Sequence, residues 1–309
     1  MIGKPAVRHA RLDQPGAPLR VALITDPEHP GLRPDDVGLT EAFASEGASA
    51  RPIPWGDRVD PGAFDLAVIR TPWDYFLRPL PFLAWIGDLE IPVLNPERVL
   101  RWNHDKRYLF ELDLGGYAKI PRTIRLEAGS RGGETAEMLE ELGTRRAVVK
   151  PVVSGGAHGT RVISLDSPLA WEAWESGAYL AQAFVATVEQ AGEWSLVYFG
   201  GVFSHAVLKK ARPGDFRVQD DHGGTVHFEP VPEGLKVAGE RVLSGLMRLL
   251  GLDQPLPYAR VDLVEDSVTG EALLMELELI EPELFLRADA LAPGRFARAV
   301  IDAALPRKA

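Results

Sequence analysis

The first third of the chain alternates between short apolar runs and helix-like patterns of polar and apolar positions. One helical pattern follows Asp36, and another covers residues 80–88. Strands that alternate with helices form a parallel sheet whose two faces are covered. The pattern therefore predicts an open α/β domain at 19–100, after a loose leader at 1–18. Its predicted strands are residues 20–25, 48–55, 64–71 and 91–95.

Beyond residue 100 the patterns mix strands and helices without strict alternation. This order is typical of α+β modules, and it predicts two of them, at 101–186 and 187–309. The first includes a helix at 103–113 with Asn103 as its N-cap, a residue type that favours helix starts. The other predicted elements are strands near 119–124, 146–150, 161–165 and 178–185, helices at 133–142, 168–176, 233–250 and 294–304, a hairpin at 193–210 and strands at 258–264 and 273–280.

Two carboxylates, Glu276 and Glu278, interrupt the apolar run LLMELELI near the end of the chain. Residues two apart in a strand point to the same face, so both acids lie on one side of the sheet. A buried carboxylate is costly without a cation, and three converging oxygen donors suit Mg²⁺. Asp262, in the strand-like run YARVDLV, supplies the third donor. The pattern favours a metal site over the alternative, which is a set of solvated acids on an exposed sheet face.

The composition narrows the class of protein. The 309 residues carry a formal net charge of −10 and show no basic stripe, which argues against a nucleic-acid-binding protein. The absence of cysteine excludes disulfides and thiolate chemistry, and it fits a cytoplasmic protein. No apolar run approaches the roughly 18 residues of a membrane span. The N-terminal segment lacks the apolar core of a secretory signal, so we expect neither membrane insertion nor secretion.

A glycine-rich loop, SGGAHGT at 154–160, lies between two strand-like runs and follows Lys150. Glycines let a backbone curl so that successive N–H groups face an anion. Lysine is almost never buried unpaired, so Lys150 at the end of the run AVVK predicts an anionic partner such as a nucleotide phosphate. The alternatives are a plain hairpin loop and a lysine that reaches the surface. The candidate phosphate contacts in the loop are Ser154, Gly155, Gly156 and Gly159.

For three further residues the sequence allows either a nucleotide-binding role or an ordinary structural one. Lys106 stands between Asp105 and Arg107, a pattern typical of a solvated helix face. Gln182 lies in the run AYLAQAFV, whose backbone either faces an adenine ring or forms a plain buried strand. Glu193 is either a ligand of a ribose hydroxyl or a surface acid.

The polar, glycine-rich segment 211–226 is typical of a loop that covers an active site. Arg217 in this segment has the planar fork that binds a carboxylate or an acyl phosphate. A disordered surface loop is the alternative. Gly223 and Gly224, in the same segment, are candidate substrate contacts.

Two strand ends carry cations that could meet a substrate. Arg70 ends the third predicted strand, where open α/β sheets place ligand contacts, and it is a candidate anchor for a substrate carboxylate. Lys209 and Lys210 end the strand before the polar segment. Strand alternation turns one of the two inward, and Lys209 is the candidate.

The order of these motifs resembles that of the ATP-grasp superfamily. Within it the chain is similar to the glutathione-synthetase-like branch, and more narrowly to the O-ureido-D-serine cyclo-ligase-like proteins. The motifs RTPWDY, WNHDKRYL, GEWSLVYFGG and MELELIEP have close counterparts there. The similarity covers about residues 20–305, nearly the whole chain.

The resemblance implies three domains: the N-terminal domain at 19–100, and two lobes at 101–186 and 187–309 that enclose ATP. Arg217 would stabilise the transferring phosphoryl group or the tetrahedral intermediate. The implied ATP contacts are Lys106, Lys150, the loop 154–160, Gln182, Phe184, Val185 and Glu193, and the implied magnesium ligands are Asp262, Glu276 and Glu278.

The chain departs from the glutathione-synthetase pattern at three positions near its end. Glu278 stands where that pattern has Asn, which makes the site more acidic and compatible with two Mg²⁺ ions. Ile280 and Glu281 replace a serine and a threonine, which argues against glutathione synthesis itself.

These features predict an ADP-forming carboxylate–nitrogen ligase that acts on a small amino-acid-like substrate through an acyl phosphate. The ligase either joins two molecules or closes a ring. A nucleotide-binding regulator without chemistry and a small-metabolite kinase remain as alternatives. We expect a small carboxylate and an amine as partners and no nucleic acid or membrane. Folds of this kind often form homodimers, and nothing in the sequence requires one.

Overall fold

A computed structural model describes residues 17–127, 135–167, 177–212, 214–215, 217–218 and 223–305. The predicted helix at 168–176 and most of the predicted leader at 1–18 lie outside the described residues. Within the described ranges, no helix combines the length and the apolar character that a membrane crossing requires.

The N-terminal sheet is parallel, as the alternating pattern predicts, with strand order β2-β1-β3-β4. Every position of its central strand β3 is buried, because both faces of the sheet are covered. The strands are β1 (Arg20–Thr25), β2 (Ser49–Pro54), β3 (Leu66–Thr71) and β4 (Val93–Leu94). The helices of this region and of the segment that follows it are α1 (Leu39–Ser45), α2 (Pro79–Asp88), α3 (Glu97–Asn103) and α4 (Tyr108–Leu114).

The predicted helix at 103–113 is wrong in its start, because a turn separates α3 from α4. Asn103 is the last residue of α3 and caps no helix start. Its side-chain amide instead donates to the backbone oxygen of Leu277 at 2.8 Å and accepts from the backbone N–H of Leu279 at 2.9 Å. The turn after Asn103 carries Lys106 to a buried position.

The central sheet is antiparallel, with strand order β5-β8-β6-β7. One face packs on helix α5 (Thr135–Glu141) through a small core that includes Met138, Leu139, Val149 and Ala181. The strands are β5 (Thr123–Leu126), β6 (Arg146–Pro151), β7 (Arg161–Ser164) and β8 (Tyr179–Ala183).

The third sheet is also antiparallel, with strand order β11-β10-β9-β12-β13. The segment 211–226, expected to be a loop throughout, gives its last residues to strand β11 (Thr225–His227), which pairs with β10. The other strands are β9 (Glu193–Phe199), β10 (Val202–Lys210), β12 (Tyr258–Glu265) and β13 (Ala272–Glu278). The helices are α6 (Thr187–Gln190), α7 (Glu233–Leu250) and α8 (Ala292–Ala304).

The first and third sheets share one hydrophobic core. Phe296 of α8 packs against Phe43 of α1, Phe199 of β9 and Tyr258 of β12. Asn95, directly after β4, donates from its side-chain amide to backbone oxygens of β12 and of the segment after β13, at 3.0 and 2.8 Å. The N-terminal sheet is therefore fastened directly to the strands that carry the acids.

Each of the three sheets falls within one of the three predicted domain ranges. The division at 19–100, 101–186 and 187–309 stays a prediction, since α8 packs on α1 across it.

Candidate active site

A cleft of about 1340 Å³ lies between the central and the third sheet, with the N-terminal sheet at one end. It brings together most of the residues that the sequence singles out. Those lining it are Lys106, Lys150, Ser154, Gly155, Gly156, Gly159, Gln182, Phe184, Val185, Glu193, Lys209, Arg217, Glu276 and Glu278.

Strands β12 and β13 bring the three acids together. Their antiparallel register places Asp262 opposite Glu276, and Glu278 lies two residues farther on the same face of β13. Carboxylate oxygens of the three residues all lie within 4.8 Å of one another. This convergence is what the alternating acids of the sequence predict.

Each of these acids is paired with cations of the protein. The Lys106 ammonium lies 2.9 Å from the Glu276 carboxylate, and the Arg260 guanidinium contacts Glu278. Asp262 lies slightly deeper, where it meets Arg260 at 2.9 Å and Lys209 at 3.2 Å. The balance of charge explains how three carboxylates can share one buried site.

The pairing sets the protonation of the acids. Burial alone would raise the pKa of Asp262, but Arg260 and Lys209 lower that pKa to about 2. At Glu276 burial would also raise the pKa, but Lys106 and Lys150 outweigh burial and hold the pKa below its usual value. Glu278 behaves differently. Burial, together with the repulsion of Glu276, outweighs the attraction of Arg260 and raises the pKa of Glu278 to about 7.

The donor set fits a hard divalent cation. Asp262 and Glu276 are anionic at neutral pH, and a metal ion bound among the three acids would also favour the ionised form of Glu278. Carboxylate oxygens are the ligands that Mg²⁺ prefers in proteins.

Arg260 is a residue of the cleft that the sequence analysis missed. It is buried, and its guanidinium donates to Asp262 at 3.0 and 2.9 Å and to the backbone oxygen of Glu283 at 3.1 Å. Burial would lower the pKa of Arg260, but the carboxylates of Asp262 and Glu278 outweigh burial and raise that pKa. The signal was present in the run YARVDLV, where an arginine two residues before an acid shares its face in a strand.

Lys150 closes β6 at the wall of the cleft. Burial lowers its pKa to about 8 in spite of the nearby Glu276 carboxylate. Its ammonium lies 3.5 Å from the backbone oxygen of Met275. A bound anion would favour its charged form, as the sequence analysis expects of a lysine at the end of a buried strand.

The glycine-rich loop 154–160 curls over the same end of the cleft. Gly156 and Gly159 have φ values of +54° and +70°, a conformation that glycine adopts without strain. A Cβ at Gly155 would lie 3.0 Å from the Phe76 ring, so the loop packs closely on the N-terminal region. Phe76 also contacts His158, with ring centroids 5.2 Å apart.

The candidate adenine segment connects the two lobes at the end of β8. The Gln182 amide donates to the Thr123 hydroxyl at 3.0 Å, so this side chain is already used inside the sheet. Phe184 stacks under the Arg146 guanidinium at 3.9 Å and lines the cleft beside Val185.

Glu193 and Lys209 face each other across β9 and β10 at 2.7 Å. Lys209 is the buried member of its lysine pair and Lys210 is half-buried, in agreement with strand alternation. Burial, opposed by Lys209, raises the pKa of Glu193.

Arg70 does not reach the cleft. Its side chain is fully buried and donates to both oxygens of Asp36 at 2.9 and 3.1 Å and to the backbone oxygen of Pro282 at 3.1 Å. Because β3 is covered on both faces, a cation at its end turns inward to a buried acid. The expectation that Arg70 anchors a substrate carboxylate therefore finds no support in its position.

The polar segment contributes less to the cleft than expected. Gly223 and Gly224 do not belong to its lining. Arg217 lines the cleft, and its guanidinium pairs with Asp215 at 2.8 Å. Side-chain exposure is 32% for Arg217 and 8% for Arg260, so Arg260 is the cleft arginine held more firmly in place.

The end of the cleft at the N-terminal sheet has charges of its own. Arg33 stacks over the Trp73 ring at 4.7 Å, and Arg287 pairs with Asp35 at 3.0 Å and with Glu283 at 2.6 Å. These residues all belong to the lining of the cleft.

Comparison with known proteins gives one family match and one curated relative. Residues 21–95 match the family model of the N-terminal domain of the D-cycloserine synthetase DcsG. Over 306 residues the chain is 31% identical to the cycloserine biosynthesis protein DcsG of Streptomyces lavendulae, covering 93% of this chain and 99% of that protein.

Solved structures resemble the chain over nearly its whole length. The crystal structure of D-cycloserine synthetase DcsG superposes with a TM-score of 0.76 at 28% identity, covering 92% of this chain and 99% of that one. A RimK-domain ATP-grasp protein from Sphaerobacter thermophilus gives 0.64 at 19% identity, covering 91% and 98%. The D-alanine–D-alanine ligase of Bacillus anthracis, in complex with ATP, gives 0.61 at 17%, covering 93% and 97%.

Proposed function

The chain belongs to the family of the cycloserine biosynthesis protein DcsG and has the ATP-grasp fold, and from this premise we propose how its cleft works. The protein is an ATP-dependent, ADP-forming carboxylate–nitrogen ligase for a small amino-acid-like substrate. The observation that carries the proposal is the convergence of Asp262, Glu276 and Glu278 with Lys106 and Arg260 in one cleft.

The reaction has two steps. A carboxylate oxygen of the substrate attacks the γ-phosphorus of ATP, the bond from that phosphorus to the bridging oxygen breaks, and ADP leaves. A nitrogen then attacks the carbonyl carbon of the acyl phosphate, the C–N bond forms, and phosphate leaves with the electrons of the broken C–O bond. The proton lost by the nitrogen goes to the departing phosphate. A chain without cysteine can support this chemistry, because no protein nucleophile takes part.

The protein's task is to position the reactants and to neutralise charge. Lys106 and Lys150 attract the phosphates of ATP beneath the glycine-rich loop 154–160, and Glu193 receives the ribose. Arg260 faces the substrate carboxylate and then the oxyanion that forms on its carbon when the nitrogen attacks, and Arg217 closes over the same group from the polar segment. These assignments rest on the position of each side chain around the cleft.

Magnesium supplies neutralisation of the phosphate oxygens when it is bound. Asp262, Glu276 and Glu278 would hold it, and their three carboxylates provide enough oxygen atoms for two ions. Lys106 and Arg260, released from Glu276 and Glu278, would then turn to the phosphates and the substrate carboxylate.

The relative is named for cycloserine biosynthesis, which favours ring closure within one amino-acid-like molecule over the joining of two. We also propose a three-domain division at 19–100, 101–186 and 187–309, with one sheet in each range. A homodimer remains compatible with it.

The test is ADP and phosphate release from Mg·ATP over a panel of D- and L-amino acids, dipeptides and O-ureido-D-serine, with products identified by mass. We expect release with one member, and a first product lighter than its substrates by one water. Hydroxylamine should trap the acyl phosphate as a hydroxamate. A phosphorylated product stable to hydroxylamine would mean a kinase instead, and nucleotide binding without release across the panel would mean a regulator.

A further inference from the structure

One acid of the cleft forms no ion pair with a lysine or arginine of the described residues. Glu276, Glu278, Asp262 and Glu193 each lie within 4 Å of a lysine or arginine. Among the described residues no such ion pair includes Glu281, although its side chain lines the same cleft. An unpaired carboxylate in a buried position is unfavourable unless a ligand completes it.

The backbone around Glu281 is fixed by the N-terminal region. The Trp73 indole N–H donates to the backbone oxygen of Glu281 at 2.9 Å, and Arg70 donates to the next backbone oxygen, that of Pro282, at 3.1 Å. A few residues on, the Asp35 carboxylate accepts from the backbone N–H of Leu286 at 2.8 Å. The segment cannot shift easily, so Glu281 is held at the end of the cleft beyond the nucleotide.

The groups that face Glu281 are mostly acids. Burial and the carboxylates of Glu278 and Glu276 raise its pKa to about 8, although Lys106 works in the opposite direction. The nearby Tyr75 hydroxyl carries no charge, since burial and the neighbouring acids, Glu281 among them, raise its pKa. This end of the cleft therefore has an excess of acidic groups. A cationic group of a ligand would favour the ionised form of Glu281, which is otherwise mostly protonated at neutral pH.

A metal ion is a poor explanation for this excess. Within the described part of the chain, the residues whose carboxylate oxygens converge closely enough to hold a metal are Asp262, Glu276 and Glu278, and Glu281 is not among them. Its backbone oxygen accepts from the Trp73 indole N–H, which holds the residue beside the acid cluster and outside its group of converging oxygens. A cationic group of a ligand whose other end lies near the metal site would fill this position.

An α-amino acid has this arrangement of charges. Its carboxylate would face Lys106 and Arg260, and its ammonium group, two bonds from the carboxylate carbon, would need an anion nearby. The other acids at this end, Asp35 and Glu283, are already paired with Arg287. We propose that Glu281 is a specificity-determining residue of the ligase, which binds the ammonium group of the substrate and selects amino acids over plain carboxylates; the inference rests on the proposed function.

The test compares Glu281→Gln with the wild-type protein. Glutamine keeps the shape of the side chain but lacks the charge. Binding of O-ureido-D-serine and of its des-amino counterpart, 3-(ureidooxy)propanoic acid, is measured by calorimetry in the presence of ADP and Mg²⁺, so turnover is not required. Glu283→Gln serves as the matched control, because it removes a neighbouring acid that Arg287 already neutralises.

We expect the wild-type protein and Glu283→Gln to bind the amino compound about 10- to 100-fold more tightly than the des-amino compound, which is the size of effect that one hydrogen-bonded charge pair gives. Glu281→Gln should lose most of this preference. Affinity for ADP should not change. Equal or absent binding of the two compounds to the wild type, or an unchanged preference in Glu281→Gln, overturns the inference. Weaker ADP or Mg²⁺ binding in Glu281→Gln overturns it too and assigns the residue to the metal site. If the preference is present but no panel member is turned over, the ligase proposal fails while Glu281 keeps its role.

Discussion

The ammonium nitrogen of Lys106 lies 2.9 Å from the carboxylate of Glu276, so a cation of the protein lies against an acid that is proposed to bind a metal ion. Both side chains come from segments that meet only in the folded state. The pair balances the charge of the site without nucleotide, and Mg·ATP would replace it with two stronger interactions, metal to Glu276 and phosphate to Lys106.

The Glu276→Gln substitution should abolish Mg-dependent turnover and leave the fold intact. The amide keeps the shape but is a much weaker metal ligand, and we expect a loss of at least about 100-fold in kcat. ADP release as a function of Mg²⁺ concentration measures the effect, with circular dichroism as the check on folding. The control is Glu271→Gln on the same strand region, whose exposed carboxylate pairs with Lys119. Retained turnover in Glu276→Gln would contradict the metal assignment.

Nucleotide affinity should fall as pH rises through about 8, because burial lowers the pKa of Lys150 to about 8 and the neutral amine no longer attracts phosphate. The bound phosphate raises this pKa, so the fall extends above pH 8. Titration of ADP binding between about pH 6.5 and 9.5 measures the effect. Lys150→Met should bind more weakly below pH 8 and show a flatter profile. A wild-type profile as flat as that of the variant would argue that Lys150 does not contact the phosphates.

The same lysine has the opposite effect on stability. The pKa of Lys150 is lower in the folded protein than in the unfolded chain, so the unfolded chain binds more protons between about pH 8 and its ordinary value of 10.5. Its contribution to the free energy of unfolding therefore increases with pH over that interval. Chemical denaturation of the wild type and of Lys150→Met, without nucleotide, should show this difference in slope.

The Arg70→Met substitution should destabilise the fold and spare substrate binding. It leaves the buried Asp36 carboxylate without its partner, which typically costs about 3–5 kcal/mol of unfolding free energy. Burial already raises the pKa of Asp36 in spite of Arg70, so the double variant Arg70→Met/Asp36→Asn should recover part of the loss. Urea denaturation measures the stability. A large rise in the substrate KM of the folded variant would instead restore Arg70 as an anchor.

Two glycines of helix α7 should respond to alanine in opposite ways. A Cβ at Gly245 would lie 2.3 Å from the Tyr117 side chain, whereas a Cβ at Gly234 meets nothing within 4 Å. We expect Gly245→Ala to destabilise by about 1–3 kcal/mol through overpacking. Gly234→Ala should stabilise by up to about 1 kcal/mol, because alanine has the higher helix propensity. Thermal denaturation of both variants checks the pair, and equal effects would contradict the packing argument.

The periodic parts of the fold were predictable from sequence. Helix α7 has the bounds predicted from its amphipathic pattern, although Val237 of that pattern is exposed, and β1 matches its apolar run. The break between α3 and α4 was not predictable. Asn103 is a residue type that favours helix starts, but here its side chain bridges to the backbone of residues 277 and 279. That bridge depends on contacts more than 170 residues apart in sequence.

In the candidate site, too, features that depend on residues close in sequence were predictable, and pairs formed by distant residues were not. The alternation of Glu276 and Glu278 predicted their common face, and the end of β6 predicted an anion-facing position for Lys150. Arg70 could not be read correctly, since its partner Asp36 is 34 residues away and looks in sequence like a helix-start acid. The unpaired state of Glu281 was equally hidden, because it depends on which cations the other acids have already taken.

Asn95 joins the N-terminal sheet to the acid-bearing strands, and this has a mechanical consequence. We expect the two regions to move together, since they also share the core around Phe296. The central sheet has a core of its own with α5, and it meets these regions near Val152 and Leu180. We therefore expect the central sheet to be the part that moves against the other two sheets when ATP enters the cleft and water is excluded.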